Sequence, residues 1–87
     1  MHELSLLKDI FGKINQIARE NNADRVLGVK IKLGALSHIS AEHFRHHFED
    51  AARGTIVEKA RLEVVEDNDP EAPDAQEMIL ESIELPE

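Results

Sequence analysis

The sequence predicts an α+β domain in which a three-stranded mixed β-sheet carries two α-helices on one face, in the order helix-strand-helix-strand-strand. Three observations predict it. Apolar residues recur at helical spacing from Leu4 to Arg19, they alternate with a period of two from Arg25 to Leu33, and Ser40 opens a second helical stretch with a readable cap.

In the first stretch Leu4, Leu7, Phe11, Ile14 and Ala18 share a stripe that Leu6, Ile10 and Ile17 widen. Lys8, Asp9, Lys13, Gln16 and Arg19 take much of the remaining surface, so one side packs and the other is solvated. Glu3 in the first turn suits the positive end of the helix dipole. The helix is expected to run out in Glu20-Asn21-Asn22-Ala23-Asp24, because Asn tolerates the left-handed backbone used at helix ends. The strand after it directs Leu27, Val29, Ile31 and Leu33 toward a core and Gly28, Lys30 and Lys32 toward water. Gly34 breaks it, and Ala35-Leu36-Ser37-His38 turns the chain toward the second helix.

That helix has Ser40 as N-cap, Glu42 in its first turn, and Ile39 with Phe44 as a hydrophobic staple across the cap. Phe44, Phe48 and Ala51 form the expected packing stripe, Arg45 and Glu49 an i,i+4 pair on the wet side, and Gly54 a stop near Arg53. Ala60 to Glu66 reads as a strand with Leu62 and Val64 inward. Asp67 to Gln76 holds three Asp, one Glu and two Pro without periodicity and reads as a loop. It is not a calcium loop: counting from Asp67, Ala72 stands where an EF-hand needs Gly and Met78 where it needs Glu. Glu77 to Leu85 is a last strand, whose two faces stay unassigned because both phases contain a Glu. Strand-helix-strand favours a right-handed parallel crossover, and the last strand is expected to pair antiparallel to its predecessor. Lys30 and Lys32 would then lie opposite Glu63 or Glu81.

With 87 residues the chain makes one domain with a single modest core. The net charge of −8, from 18 acidic and 10 basic residues, argues against nucleic acid or an anionic membrane as partner and suits a cation. There is no cysteine, hence no disulfide and no thiolate zinc site. No basic segment followed by an apolar run opens the chain, and no stretch approaches the roughly 20 apolar residues of a membrane span, so a cytoplasmic location is expected. No nucleophile elbow, phosphate-binding glycine loop or Cys/His pair is present, and an enzyme is not expected.

Metal chemistry has two candidate locations. At Met1-His2-Glu3, the α-amine, the amide nitrogen of His2 and its imidazole can close fused chelate rings on one ion. Such in-plane nitrogen donors favour Ni(II) or Cu(II) over Zn(II). Any chain beginning Met-His has those donors, and a terminal His is more often a disordered residue than a ligand, so on chemistry alone the signal is weak and the non-ligand reading starts ahead. The second location is the helix after Ser40, where His43 has i,i+4 spacing to His47 and i,i+3 spacing to His46. There the simpler reading is that His47 borders the apolar stripe beside Phe48 while His43 and His46 are solvated. His38 differs, since a donor in that turn is placed to reach a terminal metal.

Met1-His2-Glu3-Leu4-Ser5-Leu6, Arg25-Val26, Gly34-Ala35-Leu36-Ser37, Ala52-Arg53-Gly54-Thr55 and Ser82-Ile83-Glu84 together resemble the HypA/HybF hydrogenase nickel-incorporation proteins. The resemblance implies a metallochaperone that takes up Ni(II) and helps insert it into the large subunit of NiFe-hydrogenase, working with a HypB-like GTPase. It implies His2 as side-chain ligand, with backbone nitrogens from Met1 through Glu3 as further donors and Glu3 contributing a carboxylate or a partner contact. In some members an acidic side chain after the G-A-L-S turn is associated with the nickel site, and here Ser40 stands in that place. His38 or Glu42 is the expected substitute, on the residues of this chain rather than on the family pattern. Members usually carry two C-x-x-C pairs between the last two strands. Here residues 67–76 stand where that zinc domain is inserted, so residues 1–87 are expected to be a single nickel-binding domain, monomeric or weakly dimeric. A natural zinc-less relative and a chain from which the domain was removed fit equally. The competing reading is an interaction module of the same machinery without a functional metal site.

Overall fold

The computed structural model describes residues 5–87, together with the bounds of the first helix. The elements are α1 (His2–Glu20), β1 (Gly28–Leu33), α2 (Ala41–Ala52), β2 (Arg61–Glu66) and β3 (Met78–Glu84), the expected order. The sheet order is β2-β1-β3, with β1 parallel to β2 and antiparallel to β3. Phe11 of α1 stacks on Phe48 of α2 with ring centroids 5.1 Å apart, so the two helices lie side by side over the face formed by Val29, Ile31 and Leu33.

Both helices end as their residues dictate. After α1, Asn22 has φ 56°, Ala23 N–H donates to the Ala18 carbonyl at 2.8 Å and Asn22 N–H to Arg19 at 3.2 Å, the bond pair of a Schellman stop. Ser40 caps α2 by accepting from His43 N–H at 3.1 Å. Gly54 takes φ 76°, after which the Thr55 hydroxyl donates to the Ala52 carbonyl at 2.7 Å and accepts from Val57 N–H at 3.2 Å. The A-R-G-T segment is therefore a knot of turn hydrogen bonds that seats buried Val57. The core is made by Leu7, Ile10, Ile14, Val29, Ile31, Leu33, Phe44 and Phe48, among others. Ile14 and Ile31 reach zero exposure.

Four expectations need correction. The buried stripe of α2 is Phe44, Phe48 and Ala52, and Ala51 is exposed, because the chain continues inward through Val57 and draws the last turn of the stripe with it. Arg45 donates to the Leu62 carbonyl of β2 at 3.3 Å, and no ion pair with Glu49 forms among the described residues. Leu27 is 37% exposed and precedes the strand. The largest correction is topological: β3 pairs with β1, not with β2, so residues 67–77 do not close a hairpin but cross the end of β1 from one edge of the sheet to the other.

A bulge in β3 resolves its ambiguous pattern. Lys30 aligns with Ser82 and Ile31 with Leu80, which leaves Glu81 as the extra residue. The bulge changes the phase, so that Met78, Leu80 and Ile83 align with Leu33, Ile31 and Val29 and all pack on the core. Lys30 does align with Glu63 across β2, as expected, whereas Lys32 finds Asp74 instead of Glu81.

The crossing segment is seated rather than loose. Leu36 N–H donates to the Ala75 carbonyl at 2.6 Å, Gly34 N–H to Glu77 at 2.9 Å and Asp67 N–H to Leu33 at 2.9 Å, while Ala75 is buried. Asp67 and Asp69 carboxylates accept from Asp69 and Glu71 N–H, which shapes the first half into successive Asx turns. Gly34 is required at the crossing, since a Cβ there would stand 2.2 Å from the Ala75 carbonyl oxygen. Gly34→Ala is expected to lower stability in urea unfolding by about 1–3 kcal/mol, as overpacking does. Gly12→Ala, with nothing within 4 Å of the new methyl, is expected to raise it by about 0.5–1 kcal/mol, because alanine costs less backbone entropy in a helix.

Candidate metal centre

Chain direction decides which residues share an end. The turn at residues 21–27 joins the end of α1 to the beginning of β1, so α1 begins at the end of the molecule where β1 finishes. The G-A-L-S turn, His38, Ser40 and the first turn of α2 lie at that end, as do the end of β2 and the crossing segment. A cleft of about 270 Å³ opens there between the G-A-L-S turn and the end of β2, and His38, Glu66 and Asp67 are among its walls.

His38 is exposed and held at φ 64°, a left-handed conformation that is uncommon outside glycine and points to a locally constrained backbone. Ser40 already uses its hydroxyl oxygen as the α2 cap. Glu66, which sequence reasoning missed, extends a carboxylate to Ala41 N–H at 3.0 Å and places negative charge at the positive end of α2. Its only signal in the sequence was its place as the last residue of β2. Glu42 is exposed on the first turn. Among the described residues no cluster of three or more His, Asp or Glu stands ready to hold a metal, so His38, Glu42 and Glu66 do not form a finished site by themselves. Met1, His2 and Glu3, the other expected ligands, lie outside the described residues.

The crossing segment brings an ion pair to this end. Lys32 Nζ lies 2.9 Å from Asp74 Oδ2. The hydrogen bond from Lys32 holds the Asp74 carboxyl below its ordinary value of 3.8, and the same bond, helped by the fields of Asp67 and Glu81, holds Lys32 above 10.5. On α2, the imidazoles of His43 and His47 stack with centroids 4.6 Å apart, while His46 is exposed without a ring partner. His47 is half-buried, as expected for a residue bordering the apolar stripe.

Residues 1–72 match the family described as hydrogenase/urease nickel incorporation, metallochaperone, hypA. The chain belongs to the HypA family. It is 38% identical over 64 residues to the hydrogenase maturation factor HypA of Methylocella silvestris, an alignment covering 74% of this chain and 57% of that one. It is 39% identical over 66 residues to hydrogenase maturation factor HypA 2 of Bradyrhizobium diazoefficiens, covering 76% and 58%. The chain thus spans less than two thirds of the length of these curated relatives. The fold is also that of the Ni metallochaperone HypA from Helicobacter pylori in solution, with a TM-score of 0.77 at 20% identity over 95% of this chain and 96% of that one. A second HypA solution structure gives 0.74 at 21% identity. The family is one of metallochaperones and not of enzymes. These 87 residues hold no cysteine and so no thiolate zinc site.

The ion pair and the left-handed His38 each carry an expected outcome. Because Asp74 is depressed, its stabilisation is present above the unfolded carboxylate value near pH 4 and is lost as pH falls through the lower folded value. Because Lys32 is raised, the alkaline limit lies above 10.5. The stability difference between wild type and Asp74→Asn, measured by urea unfolding, should therefore be level near neutrality and shrink on acidification below about pH 4. His38→Gly is expected to hold or raise the urea midpoint, since glycine adopts the positive φ without strain.

Proposed function

We propose that the chain is a nickel metallochaperone domain that takes Ni(II) as cargo at its N-terminus and assists its insertion into NiFe-hydrogenase. The observation that carries this reading is the family match over residues 1–72, which includes Met1-His2-Glu3. The chemistry agrees with it. An amine, an amide nitrogen and an imidazole within two residues favour tetragonal Ni(II), and an acidic chain of net charge −8 attracts cations. His2 is the side-chain ligand in this reading, the Met1 amine and the His2 amide supply two further nitrogens, and Glu3 beside them makes a partner contact. His38, at the end of the molecule where α1 begins, supplies the fourth donor, because Ser40 is occupied as a cap.

The partners are a HypB-like GTPase and the large subunit of NiFe-hydrogenase, in the cytoplasm. The relatives are hydrogenase maturation factors, which favours hydrogenase over urease as the acceptor. No described helix is long and apolar enough to cross a membrane. Residues 1–87 act as one nickel-binding domain, the crossing segment 67–76 standing where the family inserts its zinc domain.

The competing reading is an interaction module of the same machinery without a functional metal site. A titration separates the two. Ni(II) added to the chain with a free Met1 amine should give a square-planar d–d spectrum that saturates at about one equivalent. His2→Ala, or any residue added ahead of Met1, should abolish it, and His38→Ala should weaken binding while leaving the spectrum planar. Octahedral binding that is identical in wild type and His2→Ala would leave the interaction module as the better reading.

A further inference from the structure

The histidines of α2 occupy a flank that the nickel-delivery reading does not use. Arg45 fixes one side of the helix toward β2 through its bond to Leu62, and Phe48 fixes the adjoining side toward α1 through its stack on Phe11. At about 100° per residue, His43 and His47 lie on the opposite side of Phe44 from Arg45. Their rings stack at 4.6 Å between centroids and 27° between planes. Among the described residues no side chain or backbone group bonds to either imidazole, so the ring nitrogens have no competing partner there.

We propose that His43 and His47 form a bidentate site for a late first-row divalent cation, of the Cu(II), Ni(II) and Zn(II) class, separate from the N-terminal donors. Neutral imidazole suits these ions, and residues four apart on a helix stand side by side. The pair is already in register, so small rotations of the two rings aim one nitrogen of each at a shared ion. Half-burial restricts His47, which lowers the entropy lost when it coordinates. Among the described residues no third donor joins the pair, so water completes the coordination. Such an open site binds modestly and exchanges quickly, which suits a cation in transit better than one held in the fold.

Zn(II) separates this proposal from the nickel-delivery reading, because amide-nitrogen chelates of the N-terminal kind favour square-planar Ni(II) or Cu(II). Zn(II) is titrated into the whole chain while the imidazole nitrogens are monitored by long-range ¹H–¹⁵N spectra. The expected result is a joint, saturable shift of His43 and His47 that His46 does not share. His47→Ala should then weaken the response of His43 by at least the roughly 10–100-fold that loss of a mere outer-shell partner costs a metal site. Neither ring belongs to the core, and an unchanged backbone amide spectrum reports that the variant is folded. The proposal is overturned if His43 and His47 respond no more than His46, or if His43 responds undiminished in His47→Ala. Absence of the square-planar Ni(II) d–d spectrum in the unaltered chain, with the Zn(II) pattern intact, would count against the nickel-delivery reading alone.

Discussion

The position of β1 between the two other strands is the constraint on which the rest depends. Its backbone is bonded along both edges and its inward row of Val29, Ile31 and Leu33 is buried under two helices. That strand organises both faces of the sheet. On the core side, each inward residue of β1 meets an apolar residue of β3, so a central strand sheltered on three sides anchors a small hydrophobic core. On the open side, Gly28 lies beneath the Arg61–Glu84 ion pair, which reaches from one edge strand to the other over the missing side chain. That pair is exposed and contributes little energy, yet it fits the register at which all three strands are aligned.

A central β1 forces the chain to cross its end between β2 and β3. The crossing segment must approach the backbone of the G-A-L-S turn, and glycine at position 34 makes that approach possible. The same approach buries Ala75, draws Asp74 onto Lys32 and aligns the Asp67 amide with the last carbonyl of β1. The segment thus closes the end of the sheet at which α1 begins. An insertion in this place would rise from the crossing and leave the pairing of β1 with its neighbours intact, because both strand ends are fixed independently by the ladder.

Much of this fold was legible in the sequence wherever one residue type has one local use. Asn22 at a helix end, Ser40 at a helix start and Gly54 at a stop all behave as their chemistry requires. Strand order was not legible, because sequence neighbours pair in most sheets and nothing local distinguishes a hairpin from a crossing. Glu81 concealed the faces of β3, since an alternation read through a bulge looks like no alternation at all. Ala52 replaced Ala51 in the core for a related reason: a stripe spaced by fours drifts around the helix, and the path of the next segment, here the turn that buries Val57, sets the direction of drift. At the candidate site, His38 and Ser40 could be placed at one turn from sequence, whereas Glu66 arrives from 25 residues away and only the parallel pairing of β1 and β2 brings it there.

The strained and occupied residues at this end explain why a metal site there would have to be completed by the start of α1. Ser40 and Glu66 both have oxygen donors, but each is engaged with an amide of the first turn of α2. Turning either bonded oxygen away to reach a cation would expose an unsatisfied helix N–H, which costs about as much as a lost cap. Among the described residues His38 has no such task, and its left-handed backbone at φ 64° belongs to the turn. A site that takes its nitrogen donors from the terminus and one from His38 would leave the capping bonds of α2 unbroken. Cargo could then be bound and released without unfolding the scaffold, which is the property a carrier needs and a structural metal site lacks.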